Sequence, residues 1–228
     1  MIDIKVLASG SSGNCYLIDN GKTKLLLDAG IPFKQIQKGC DFRTSDISGC
    51  LITHRHGDHA KAIKDLIKRG MPVYGPNDLQ KINKNILVLK PLIRYTIESF
   101  VIVPFKVQHD VECYGYQISS MGKQKLIYVT DTAYIKYQFT GLTHIMVEAN
   151  YDSELIRKNT LNMDIQGSLA SRIIQSHMSL ETVEEFLAAN DLSKVQQIYL
   201  LHLSDNNSNA AEFKDRIQKK TGAEVYVY

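Results

Sequence analysis

A chain of 228 residues with 44% apolar and 22% charged side chains can bury one sizeable core and is excluded from the disordered class. Its net charge of +3 admits an anionic substrate, but no dense basic tail marks a dedicated nucleic-acid binder; Lys214, Arg216, Lys219 and Lys220 read as the solvated face of a last helix. Apolar runs such as 101–103 are far too short to span a bilayer, and the first residues reach a Gly/Ser turn too soon for a secretory signal, so a cytoplasmic protein with no membrane partner is expected.

In chain order, residues 2–8, 15–19 and 22–28 are short apolar or alternating runs that predict strands, separated by turns at 9–13 and 20–21. A helix is predicted after Pro32, and a strand at 50–53. From 58 to 69, Ala62, Ile63, Leu66 and Ile67 recur at helical spacing, with Gly70 as a stop. Strands follow at 85–89, 100–107, 114–119, 125–130 and 144–148. The last third is mostly helical: 179–189 places Leu180, Val183, Phe186 and Leu187 on one stripe, and a strand at 197–202, a helix at 210–220 and a strand at 224–228 close the chain. With no repeat or linker, residues 1–228 read as a single domain in which two packed sheets carry helices outside. Cys15, Cys40, Cys50 and Cys113 lack C-x-x-C spacing and read as buried thiols in a reducing compartment.

The chemistry concentrates at His54-x-His56-x-Asp58-His59, which takes three of the seven histidines. An extended backbone sends His54 and His56 to one side, where both can reach one ion. Gly57 permits a bend, after which Asp58 and His59 leave in a new direction and can serve a second ion. These are donor types that zinc prefers. A surface histidine cluster, with Asp58 as a mere helix cap, is the bland alternative.

This segment resembles the signature of the metallo-β-lactamase superfamily, and further motifs follow in order: Asp28 after the apolar run 25–27, His109, Asp131 and His202, each at a strand end. The resemblance implies an α/β fold, an αββα four-layer sandwich of two mixed β-sheets. It implies that His54, His56 and His109 hold one metal, that Asp58, His59 and His202 hold a second, and that Asp131 bridges them. Asp28 is expected to orient the ligand loop, because ligating imidazoles need a partner on the other nitrogen. His144 matches no motif and reads as a core or surface histidine. The stretch 8–15, the residues around His109, His177-Met178-Ser179 and His202-Leu203-Ser204 resemble the YycJ/WalJ branch, related to tRNase Z phosphodiesterases. Members of that branch are cytoplasmic bacterial or phage proteins, some of them DNA exonucleases. His177 departs from the branch's Gly-His-Leu-Ser form, having Ser176 and Met178 as neighbours.

The implied function is a dinuclear metal-dependent hydrolase, a phosphodiesterase acting on DNA in exonuclease fashion through a metal-bridging hydroxide. Its cofactors are two divalent ions, zinc first and manganese as the alternative. Asp58 and His177 are the expected catalytic residues, His177 as general acid, although the positive end of the helix after Ser179 disfavours imidazolium unless a carboxylate or a substrate phosphate offsets it. The loop 9–14 reads equally as a phosphate-binding nest and as a plain hairpin turn. The partner is a nucleic acid or nucleotide phosphodiester, and a homo-oligomer is admitted. Two competing readings are a small-molecule hydrolase (of a cyclic nucleotide or a thioester) and a non-catalytic regulatory module.

Overall fold

The apolar runs of the first third become strands because tight turns bound each of them. The computed structural model describes residues 2–120 and 124–228. Its strands form two mixed β-sheets, of six and seven strands, which is the α/β class expected. The chain divides into two compact units, Met1–Lys106 with Val111–Gln124, and Val107–Asp110 with Lys125–Tyr228.

In the first unit, β1 (Asp3–Ala8), β2 (Cys15–Asp19), β3 (Lys24–Leu27), β4 (Ile47–Leu51), β5 (Val73–Gly75) and β6 (Leu87–Val88) lie side by side in chain order. The first three pair antiparallel through short turns; from β3 onward pairing is parallel. Parallel neighbours need crossovers, supplied here by α1 (Phe33–Gly39), α2 (Gly57–Ala60) and α3 (Ile63–Lys68). Ile36, Ile63 and Leu66 from these helices pack against Leu26, Cys50, Ile52 and Val73. This unit also holds β7 (Tyr95–Ile97), antiparallel to β8 (Phe100–Val107), and β9 (Cys113–Ser120).

The second unit has four parallel strands in the order β10 (Lys125–Val129), β11 (His144–Glu148), β12 (Gln197–Leu201), β13 (Glu224–Val227). β11 is buried throughout, as a central parallel strand must be. Its helices are α4 (Ser153–Leu161), α5 (Gly167–Ser176), α6 (Leu180–Ala188) and α7 (Ala210–Thr221). Asp152, Ser179 and Asn209 cap α4, α6 and α7 by accepting main-chain N–H groups of the first turn, and Gly222 ends α7 in the left-handed conformation.

Several boundaries differ from the sequence reading, and the reasons lie in the hydrogen bonds. The predicted helix over 58–69 breaks after Ala60, because Ala62 N–H donates to Ala29 O (2.9 Å) instead of continuing the helical ladder. β4 stops at Leu51; Ile52 N–H still reaches Tyr74 O, but Thr53 N–H turns to the Asp28 carboxylate (2.8 Å). Strands predicted to reach Asp28 and His202 stop one residue earlier, at Leu27 and Leu201, and the strand expected to end at Thr130 stops at Val129. Asp28, Asp131 and His202 adopt left-handed backbone, at φ 55°, 53° and 56°. No strand continues through that conformation, which costs a non-glycine residue about 1–2 kcal/mol. β5, β7, α4 and α5 had no clear signal in the sequence.

Three loops lock together beside β3. Asn14 N–H donates to Asp58 O (2.7 Å), Gly30 N–H to Asn14 O (2.8 Å), and Ala29 N–H to His59 O (2.8 Å). Gly30 is dictated by this closeness, since a Cβ there would lie 1.6 Å from Asp58 O. The four cysteines are buried and free, and burial pushes the thiols of Cys15 and Cys50 well above their ordinary range. His144 is a core residue, 1% exposed, with Nδ1 2.9 Å from Thr143 Oγ1.

Two predictions follow from this packing. Gly30→Ala should lose about 3 kcal/mol or more in urea unfolding, whereas Gly57→Ala, where a Cβ meets nothing within 4 Å, should stay within about 1 kcal/mol. Burial holds the His144 imidazole below its ordinary range. The unfolded chain therefore binds a proton that the folded chain refuses, so this contribution to stability is present at high pH and lost as pH falls below about 6.5. Unfolding of wild type and His144→Leu from pH 8 to 5 should show the steeper loss in wild type.

Candidate metal centre

In the first unit, β3 and β4 end beside each other and deliver Asp28 and Thr53 to one fully buried point. The Asp28 carboxylate accepts from Thr53 N (2.8 Å), Thr53 Oγ1 (3.0 Å) and His59 Nδ1 (2.7 Å). Having donated to Asp28, the Thr53 hydroxyl can only accept, and His54 Nδ1 lies 3.0 Å from it. Both His54 and His59 are thereby fixed with hydrogen on Nδ1 and a lone pair on Nε2, the form that binds metals.

The turn after Thr53 brings His54 Nε2 to 3.0 Å from His56 Nδ1. Two nitrogens on one tetrahedral ion stand roughly 3.3 Å apart, so the pair is already near a shared-ion geometry. Asp58 Oδ2 lies 3.4 Å from His59 Nε2 and forms a separate donor pair. β9 pins the same turn: Tyr114 N–H donates to Thr53 O (3.0 Å) and the Tyr116 hydroxyl to Ile52 O (2.5 Å). Arg55, exposed between the two histidines, is tied to Asp78 (2.5 Å), whose carboxyl is held below its usual range by hydrogen bonds from Lys81 and Arg55.

In the second unit, donors again stand where parallel strands end. Asp131 follows β10, His202 follows β12, and Glu148 closes β11. Asp131 accepts from Thr130 Oγ1 (2.6 Å); His109 Nε2 and His202 Nε2 each lie 3.9 Å from its carboxylate oxygens. Asp131, Glu148, His177 and His202 each offer a donor atom, all within 4.8 Å of one another. Glu148 is fully buried and its Oε2 takes His177 Nδ1 at 2.9 Å, while Oε1 accepts Thr132 N (2.8 Å) and Met178 N (3.3 Å). His177, placed between α5 and α6, stacks on His202 with centroids 5.1 Å apart.

These side chains are those of a divalent-ion site: imidazoles and carboxylates, with ring orientations fixed by outer hydrogen bonds. Among the imidazoles, His202 is held differently from His54 and His59. Asn150 Nδ2 is oriented by the His202 carbonyl (2.8 Å) and also lies 3.1 Å from Nδ1, which makes Nδ1 an acceptor. Coordination through its Nε2 requires the proton to move to Nδ1, where Glu148 Oε2 is 4.0 Å away. Within the first unit, the structure thus brings together His54, His56, Asp58, His59 and Asp28. Within the second it brings together His109, Asp131, His202 and His177. Glu148, Thr53, Asn150 and Asn14 were missed. Of these only Glu148 left a signal, as a carboxylate ending the otherwise apolar run 145–147, where a buried charge demands a partner.

A family model described as "Beta-lactamase superfamily domain" matches residues 23–203. The chain is similar to Exodeoxyribonuclease YycJ of Bacillus anthracis, 29% identical over 224 residues, covering 90% of this chain and 84% of that protein. It is similar to Exodeoxyribonuclease WalJ of Streptococcus pneumoniae, 28% identical over 222 residues, covering 89% and 82%. Among solved structures, the metallo-beta-lactamase fold protein YhfI of Bacillus subtilis matches with a TM-score of 0.76 at 18% identity, covering 100% of this chain and 96% of that one. At that identity the likeness shows the fold.

Asp28→Asn keeps the shape of the hub but replaces an acceptor of three hydrogen bonds by an amide that can serve only part of them. Zinc affinity, measured by competition with a chromophoric chelator, should fall about 10- to 100-fold while the circular dichroism spectrum is unchanged.

Proposed function

We propose that this chain, which belongs to the beta-lactamase superfamily and to its YycJ/WalJ-like branch, is a metal-dependent phosphodiesterase that degrades DNA as an exonuclease. The observation that carries the reading is the buried Asp28 carboxylate, which with Thr53 engages Nδ1 of His54 and His59 and so supports a ligand role for their Nε2 atoms. The names of the relatives bring DNA to the chain as substrate. We assign His54, His56 and His109 to one ion, Asp58, His59 and His202 to a second, and Asp131 to both, with zinc as the first choice of metal and manganese as the alternative. Two such ions, when bound, supply Lewis acidity toward a phosphate and lower the pKa of water toward neutrality.

The remaining work falls to the protein. Asp28 and Thr53 keep His54 and His59 from rotating, so the site needs little reorganisation when substrate arrives. Glu148 holds His177 by Nδ1, leaving its Nε2 to hand a proton to the departing oxygen of the cleaved ester. The positive end of α6 disfavours a charged imidazole at this position, and the Glu148 carboxylate at 2.9 Å supplies the compensating charge. Four buried thiols suit a reducing cytoplasm, where we place the enzyme.

Linear duplex DNA should be shortened from its ends by the purified protein, with loss of activity in a chelator and recovery on adding zinc or manganese. Asp58→Ala should abolish cleavage. His177→Ala should lower kcat by about 10²–10⁴-fold with metal content unchanged, and Glu148→Gln should lower kcat by a similar factor. A metal-loaded protein inert on DNA, RNA and cyclic nucleotides alike would overturn the reading.

A further inference from the structure

Asn14 is fully buried, and its carboxamide orientation is fixed by its neighbours. Gly10 N–H donates to Oδ1 (3.0 Å), as does the Tyr16 hydroxyl (2.9 Å), so Oδ1 is the oxygen and Nδ2 the donor. One Nδ2 hydrogen goes to Gly10 O (3.1 Å). The other has His59 Nε2 as its nearer acceptor, also at 3.1 Å, with Asp58 O farther off at 3.5 Å. His59 has already given its Nδ1 hydrogen to Asp28, so Nε2 is the lone-pair acceptor of this bond.

An ion on His59 Nε2 and this hydrogen bond require the same lone pair and are mutually exclusive. The facing pair His54 Nε2 and His56 Nδ1 also share a hydrogen, but between two imidazoles. His56 is only half-buried and can move that hydrogen to its other nitrogen through solvent. An amide cannot give its hydrogen up. We infer that Asn14 is a positioning residue that holds His59 in ligand pose and competes with the metal for it, so that the ion on Asp58 and His59 binds more weakly than the ion on His54 and His56. The chain would load stepwise, the weaker ion following the metal supply. The hydrogen bond and the ion exchange places at one atom, so the sequence of loading is written into loop 9–14, whose role the sequence left open. This inference rests on the ligand assignment proposed above.

Zinc titrations of the metal-stripped full chain against a chromophoric chelator should resolve two classes of site in wild type. Asn14→Ala removes the competing donor; Asn14→Leu removes it while keeping the side chain's volume and adding no metal ligand. In both, the weaker class should tighten by on the order of fivefold or more, the stronger class staying unchanged. Equal classes in wild type, or a folded Asn14→Ala with the same gap, would overturn the inference. If either variant fails to fold, nitrogen-15 spectra of metal-stripped wild type decide. A coupling between the Asn14 side-chain amide and His59 Nε2 that vanishes as the second equivalent of zinc binds supports it; no such coupling refutes it. A chain that binds no zinc at all refutes the ligand assignment itself, a different result from two equal sites.

Discussion

A single carboxylate with no access to water sets the terms for this protein. Asp28 is completely buried and carries three hydrogen bonds from Thr53 and His59. A buried charge is tolerated only when its lone pairs are filled, and here the groups that fill them are the ligand loop itself. The same bonds that make Asp28 affordable decide which nitrogen of His54 and His59 carries hydrogen. Packing and chemistry are therefore one arrangement: His59 cannot turn without leaving the Asp28 carboxylate an unfilled lone pair, and His54 cannot turn without leaving the Thr53 hydroxyl without its donor.

The second unit solves a comparable problem with different parts. Glu148 is as buried as Asp28, and its two oxygens are filled by Thr132 N, Met178 N and His177 Nδ1. In each unit an acid at the end of a parallel strand orients an imidazole that arrives from later in the chain. Asp28, Asp131 and His202 add left-handed backbone at these ends. Such strain persists where surrounding bonds over-determine the conformation, and it turns a side chain off the line of its strand. The alternation of faces along a strand would otherwise restrict which residues could serve.

The sequence was most legible where the chemistry is local. His54, His56, Asp58 and His59 lie in one short segment, so the sequence could mark them together, although a turn after β4 rather than strand alternation brings His54 to His56, and Gly57 opens α2 in ordinary helical backbone. The mixed two-sheet class followed from the order of strands and helices and from the superfamily resemblance. Glu148 escaped because its purpose depends on His177, 29 positions away, and on two main-chain N–H groups that no periodicity reveals. The helix over 58–69 was overdrawn because apolar spacing cannot show that Ala62 N–H is claimed by Ala29 O. Asn14 escaped for a similar reason: a Gly/Ser-rich loop announces a turn, and only the folded chain shows which atom the turn presents.

The interlocking of Asn14, Gly30 and Asp58 has a consequence for how the protein comes to exist. Those contacts join segments separated by as many as 44 positions, so the ligand turn holds its shape only when that stretch of chain is closed, at an entropic cost. In the unfolded ensemble the histidines are scattered and bind a cation weakly and in many ways. A cation that prefers the assembled turn draws the population toward the native form in proportion to its free concentration.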